Sequence, residues 1–179
     1  PIKLAFDISI FDQNACSSPH TIFIETDNKK ILHSFAEKLS LAMDKVNKII
    51  PKKPISESKA MEIHAIRSEN EFSGTVFSSN DTSWTIIVSD DESLAKPYFS
   101  RVVFIKSISD AMTLTDSNTK KIQTVGITMK KEKRLELIDK LTFQGGDRSP
   151  SLGDMSTYEN PWDGMFVLDR LVRWISTYD

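Results

Sequence analysis

From Asn28 to Ile50, apolar residues return every three or four positions: Ile31, Leu32, Phe35, Leu39, Ala42, Met43, Val46, Ile49 and Ile50. That spacing places them on one stripe of a single helix of roughly six turns. Pro51 and Pro54 stop it, because proline cannot continue the backbone hydrogen-bond ladder. A stripe of this length must be covered by another layer, and the flanking segments supply candidates. Thr21 to Glu25 alternates as a strand does. Gly74 to Ser78, Trp84 to Ser89 and Arg101 to Ile105 are short, β-branched or aromatic, and bounded by turn residues. Leu4 to Phe11 and Ile122 to Thr128 read as two further strands. Ser56 or Ser58 can cap a second helix running to about Asn70, a brief helix fits Ser109 to Thr115, and Lys130 to Leu141 is helical with Leu135, Ile138 and Leu141 inward. Strands apolar on both faces, alternating with helices, imply an α/β fold: a three-layer arrangement in which helices cover both faces of a sheet. Beyond Leu141 glycine, proline and serine concentrate in an irregular loop. The closing stretch from Met165 is amphipathic and predicts a terminal helix capped by Asp163, with Trp162 packed beside it.

The 179 residues, 39% hydrophobic and 27% charged, suffice for one domain with a substantial core. A net charge of −2 with mixed signs offers no basic field for phosphate backbones, so nucleic acid is not an expected partner. No apolar run approaches the ~20 residues of a membrane span, and the N-terminus lacks the order of a signal peptide, so a reducing cytoplasm is the expected location. The chain begins at Pro1 without a methionine and runs directly into "KLAFDISIF", which suggests an excised piece of something larger.

Chemistry concentrates on the lone thiol, Cys16. With no disulfide partner in the chain it is a core filler, a metal ligand or a nucleophile. Asp12, Gln13, Asn14, Ser17 and Ser18 surround it with polarity that a buried core tolerates poorly, so a surface or cleft position is expected. The three histidines, His20, His33 and His64, stand too far apart for the close pairing of zinc sites, so no metal is expected. At a strand-to-helix junction, free backbone N–H groups would polarise the thiol and stabilise an oxyanion, which makes a nucleophile the sharper reading. Pro19 forbids a regular helix from Cys16 to His20, so His20 orients the turn more readily than it deprotonates the thiol. His33 and His64 fall on helices as surface or packing residues.

The stretch "FDISIFDQNACSSPHTIFIE" resembles the nucleophile segment of the aldehyde dehydrogenase superfamily. Within it, the stretch is similar to fatty acyl-CoA reductases of the bioluminescence type, where Gln-x-x-Cys-Ser-Ser-Pro precedes a Val/Ile/Phe-rich strand ending in glutamate. The matching residues are Gln13, Cys16, Ser17, Ser18, Pro19 and Glu25. "IQTVGI" fits the same pattern, and Phe143 to Trp174 resembles the family's C-terminal signature. The resemblance implies that residues 1–179 form an aldehyde dehydrogenase-like catalytic domain, with a cofactor-binding domain preceding it. NADPH would then be held mainly by residues outside this sequence. It further implies that Cys16 attacks a long-chain acyl-CoA or acyl-protein thioester, that the acyl-cysteine is reduced to the fatty aldehyde, and that an acyl-transferring enzyme and further subunits are possible partners.

Departures from the pattern matter equally. Ordinary aldehyde dehydrogenases carry Glu-x-Phe-Gly-Pro-Val before the strand that corresponds to "RVVFI", and that glutamate grips the nicotinamide ribose. Aligned on "PYFSRVVFI", Pro97 replaces the glutamate, Phe99 is kept and Arg101 replaces the proline. Arg101 is therefore either a contact to cofactor, phosphate or oxyanion, or a strand-end surface charge. Gln13 joins the candidates through the motif, and Arg148, beside Gly145, Gly146 and Asp147, either binds a carboxylate or phosphate or closes a turn. Two alternatives to a reductase stay open: a non-catalytic interaction module, and a cysteine acyltransferase or thioesterase that uses no hydride.

Overall fold

The structure, a computed structural model, describes residues 1–114 and 122–177. One sheet is built from β1 (Thr21–Glu25), β2 (Thr75–Ser78), β3 (Thr85–Ser89) and β4 (Val102–Ile108), in the order β1-β4-β3-β2. β1, β4 and β3 run parallel, with Ile22 opposite Ile105 and Ile87 opposite Phe104. β2 closes the edge antiparallel to β3. Around the sheet lie α1 (Ile2–Ser9), α2 (Lys29–Ile49), α3 (Glu57–Glu71) and α4 (Lys131–Phe143).

The expected three layers are present. Leu32, Ala36, Leu39, Met43 and Val46 of α2, with Leu4, Ala5 and Ile8 of α1, pack on Ile86, Val88, Val103 and Ile105. On the opposite face Ile63 and Ile66 of α3 cover Ile87, Val102 and Phe104. Alternation along β4 thus feeds two cores at once, which is why its sequence reads apolar throughout. The prolines end α2 as expected, Asn28 caps it by accepting from the Lys30 N–H, and Ser56, rather than Ser58, caps α3 by accepting from Lys59. Truncating Leu39, fully buried in the larger core, would cost about 2–5 kcal/mol.

Five expectations need correcting. Leu4 to Phe11 is not a strand: its first part is α1, whose Leu4, Ala5 and Ile8 share one face against α2, and the rest turns toward the cysteine. Ile122 to Thr128 makes a single bridge, Thr124 to Arg148, instead of a strand. In α4 the buried residues are Leu137 and Leu141, while Leu135 is 52% exposed. The terminal helix reduces to one 3-10 turn, Val167–Arg170, preceded by Phe166, with no side-chain cap from Asp163. Trp162 does pack, stacked on Tyr158 at 5.4 Å. The brief helix is a 3-10 turn at Ala111–Thr113; Thr115 lies outside the described residues. Among the described residues no helix is long and apolar enough to cross a membrane.

Candidate active site

Because β1 and β4 are parallel neighbours, the segments that feed them meet at the N-terminal ends of these strands. Asp12 to His20 leads into β1, and Phe99 to Arg101 leads into β4. The two segments are clasped together. The Ser100 N–H donates to the Asp12 carbonyl at 2.9 Å, and Arg101 Nε donates to Asp12 Oδ1 at 2.6 Å. Gln13 Nε2 donates to the Val102 carbonyl at 2.9 Å and to the Pro19 carbonyl at 2.7 Å.

Cys16 is exposed in the loop that Gln13 closes. It occupies the second position of a turn in which the Ser18 N–H donates to the Ala15 carbonyl at 3.0 Å. Since α1 precedes it, the junction is helix-to-strand, and the dipole of a following helix is not available to the thiol as expected from sequence. Local amides remain: the N–H groups of Cys16 and Ser17 donate to no partner among the described residues. Two adjacent free donors beside an exposed sulfur suit a developing oxyanion. His20 lies half-buried with its ring edge-on to Phe99 at 5.3 Å, and burial lowers its pKa below the usual histidine value, so it is neutral at neutral pH.

Arg101 is neither an open ligand contact nor a surface charge. Its side chain is fully buried, and besides Asp12 it donates to Asn47 Oδ1 at 3.0 Å and to the carbonyls of Ser9 and Ile50 at 3.2 and 3.0 Å. One guanidinium thereby ties together the ends of α1 and α2 and both clasped segments. Arg148 is likewise engaged inside the fold. It donates to the carbonyls of Met155 and Thr157 and lies 4.0 Å over the Trp162 ring, so the turn-closing reading describes its position. Gln13 is fully buried, with both amide hydrogens committed to backbone carbonyls. Asp12, Asn47 and Ser100, which complete the clasp, were not singled out by the sequence reading, since no local pattern announces a contact across some ninety positions. Lys52 adjoins the same group: its ammonium donates to the Thr82 carbonyl, and burial lowers its pKa to about 8 against the opposing pull of Asp12. No group of three or more His, Cys, Asp or Glu residues that could hold a metal occurs among the described residues.

Residues 2–174 match the family model described as acyl-CoA reductase (LuxC). The chain belongs to this family. Two relatives are the long-chain acyl-protein thioester reductases of Aliivibrio fischeri and Photobacterium phosphoreum. They are each 29% identical to it, over 97% and 98% of the chain, but over only 36% of their own lengths. The LuxC-family chain thus spans about a third of those relatives. Among solved structures, a bifunctional proline utilization A protein superposes with a TM-score of 0.60 at 13% identity, covering 87% of this chain and 18% of that one. A proline utilization A variant from Bradyrhizobium japonicum gives 0.58 at 11% identity, covering 84% and 18%. These likenesses concern the fold alone, and they agree with the aldehyde dehydrogenase-like α/β architecture that the sequence resemblance implies.

Proposed function

We propose that this chain is the acyl-capturing part of a reductase that converts a long-chain acyl thioester, carried by CoA or by a protein, into the fatty aldehyde. The observation that carries the reading is an exposed Cys16 in a turn with two adjacent amides that have no partner among the described residues, within a chain of the LuxC family. The Cys16 thiolate adds to the thioester carbonyl, and the oxyanion accepts hydrogen bonds from the Cys16 and Ser17 N–H groups. Collapse breaks the old C–S bond and expels the carrier thiolate, leaving the acyl group on Cys16.

NADPH, the reductant implied by the resemblance, supplies hydride when bound. Arg101 and Arg148 are turned into the fold and do not offer a grip for it. We assign its binding to a domain outside these 179 residues, and the reaction to the cytoplasm. In the natural protein carrying this chain, radiolabelled acyl-CoA should label the protein, and NADPH should discharge the label as aldehyde. Cys16→Ala should abolish both. Discharge as free acid or as a new ester, with no aldehyde, would instead identify a thioesterase or acyltransferase, and no labelling would identify a non-catalytic module.

A further inference from the structure

Among the described residues, five of the six non-glycine residues with left-handed backbone lie in the clasp: Asp12 (φ 48°), Gln13 (63°), Phe99 (57°), Ser100 (54°) and Arg101 (63°). Such conformations persist only where the surroundings over-determine them, and they gather at functional sites. Gln13 is the residue through which this strain reaches the thiol. Its backbone is left-handed, and its side chain reaches across the loop to the Pro19 carbonyl and on to the Val102 carbonyl of β4. Asn14 to Ser18, with Cys16 at the centre, is therefore a loop closed by one amide and fastened to the sheet by the same nitrogen. Gln13 Oε1, fully buried, accepts no hydrogen bond among the described residues. The amide thus acts on the loop through its two donated hydrogen bonds, not through its oxygen.

We infer that Gln13 is a positioning residue, setting the place of Cys16 and its neighbouring amides without touching substrate; this rests on the proposed capture by Cys16. The structural alternative predicts lower stability and nothing else. In the natural protein, Gln13→Met keeps the bulk and removes both donors. The rate of acylation by an acyl-CoA at saturation should fall about 100-fold, the scale of a 1 Å misplacement, with KM changed little. Alkylation of Cys16 by iodoacetamide, which needs an exposed and ionised thiol but no oxyanion donors, should stay within about twofold at matched pH. Gln13→Glu supplies the second arm. Its protonated acid can still donate one hydrogen bond and its carboxylate none, so acylation relative to wild type should rise as pH falls. Equal acylation of wild type and Gln13→Met, or parallel loss of acylation and alkylation together with melting, overturns the inference. Failure of wild type to acylate takes down the reading beneath it as well.

Discussion

Arg101 shows how a single side chain can look functional in sequence and prove architectural in place. Its partner Asp12 is nearly buried as well, and a buried ion pair is most costly when half of it is removed. Arg101→Met should lower the unfolding free energy by about 3–5 kcal/mol, read from denaturant midpoints, because Asp12 then keeps an uncompensated charge. Adding Asp12→Asn should recover part of that loss; strictly additive losses would show that the two residues do not act as a pair. None of this was legible at residues 12 or 101 taken singly. The exposure of Cys16 was expected from its polar neighbours, but not for the right reason: Asp12, Gln13, Ser17 and Ser18 are themselves buried, and the thiol alone stands open among them.

At the scale of elements, the long amphipathic α2 and the short β-branched strands were readable because periodicity and termination signals agreed. α1 was not, since an eight-residue apolar run fits a helix or a strand equally, and only the docking of Leu4, Ala5 and Ile8 on α2 decides. Ile122 to Thr128 failed for the converse reason: its β-branched residues have strand propensity, but among the described residues it pairs only with the irregular stretch 147–150, through the Thr124–Arg148 bridge, and joins no sheet. α1 is also held from the far end of the chain. Asp7, buried, accepts from the Gly153 and Met155 N–H groups at 2.5 and 3.2 Å. Desolvation raises its pKa above the ordinary 3.8, despite those hydrogen bonds. The folded state then holds this proton to higher pH than the unfolded chain. Stability from this group is fullest below 3.8 and declines as pH rises through the raised folded value. Asp7→Asn should remove that decline from a pH series of thermal melts; an unchanged slope would mean Asp7 is not its source.

Taken whole, the molecule has a buried core on each face of its sheet, a smaller third cluster around Leu137 and Leu141, and an uncovered tail. Phe166, Leu168, Leu171, Trp174 and Ile175 are exposed, although the sequence pattern predicts an amphipathic terminal helix there. They bury little within this chain, so replacing Leu168, Leu171 and Trp174 by serine should change its unfolding free energy by no more than about 0.5 kcal/mol per site, while binding of a hydrophobic dye falls. A large destabilisation would show that the tail is part of the core. The candidate site sits at the opposite kind of place, the N-terminal ends of β1 and β4, where two strained segments lock and a thiol stands open. Capture of an acyl group by that thiol is tested most directly by mass-spectrometric peptide mapping of the natural protein after incubation with a long-chain acyl-CoA and no reductant. The predicted result is one hydroxylamine-labile acyl adduct on the peptide containing Cys16; an unmodified Cys16 peptide, or an adduct on another residue, would contradict it.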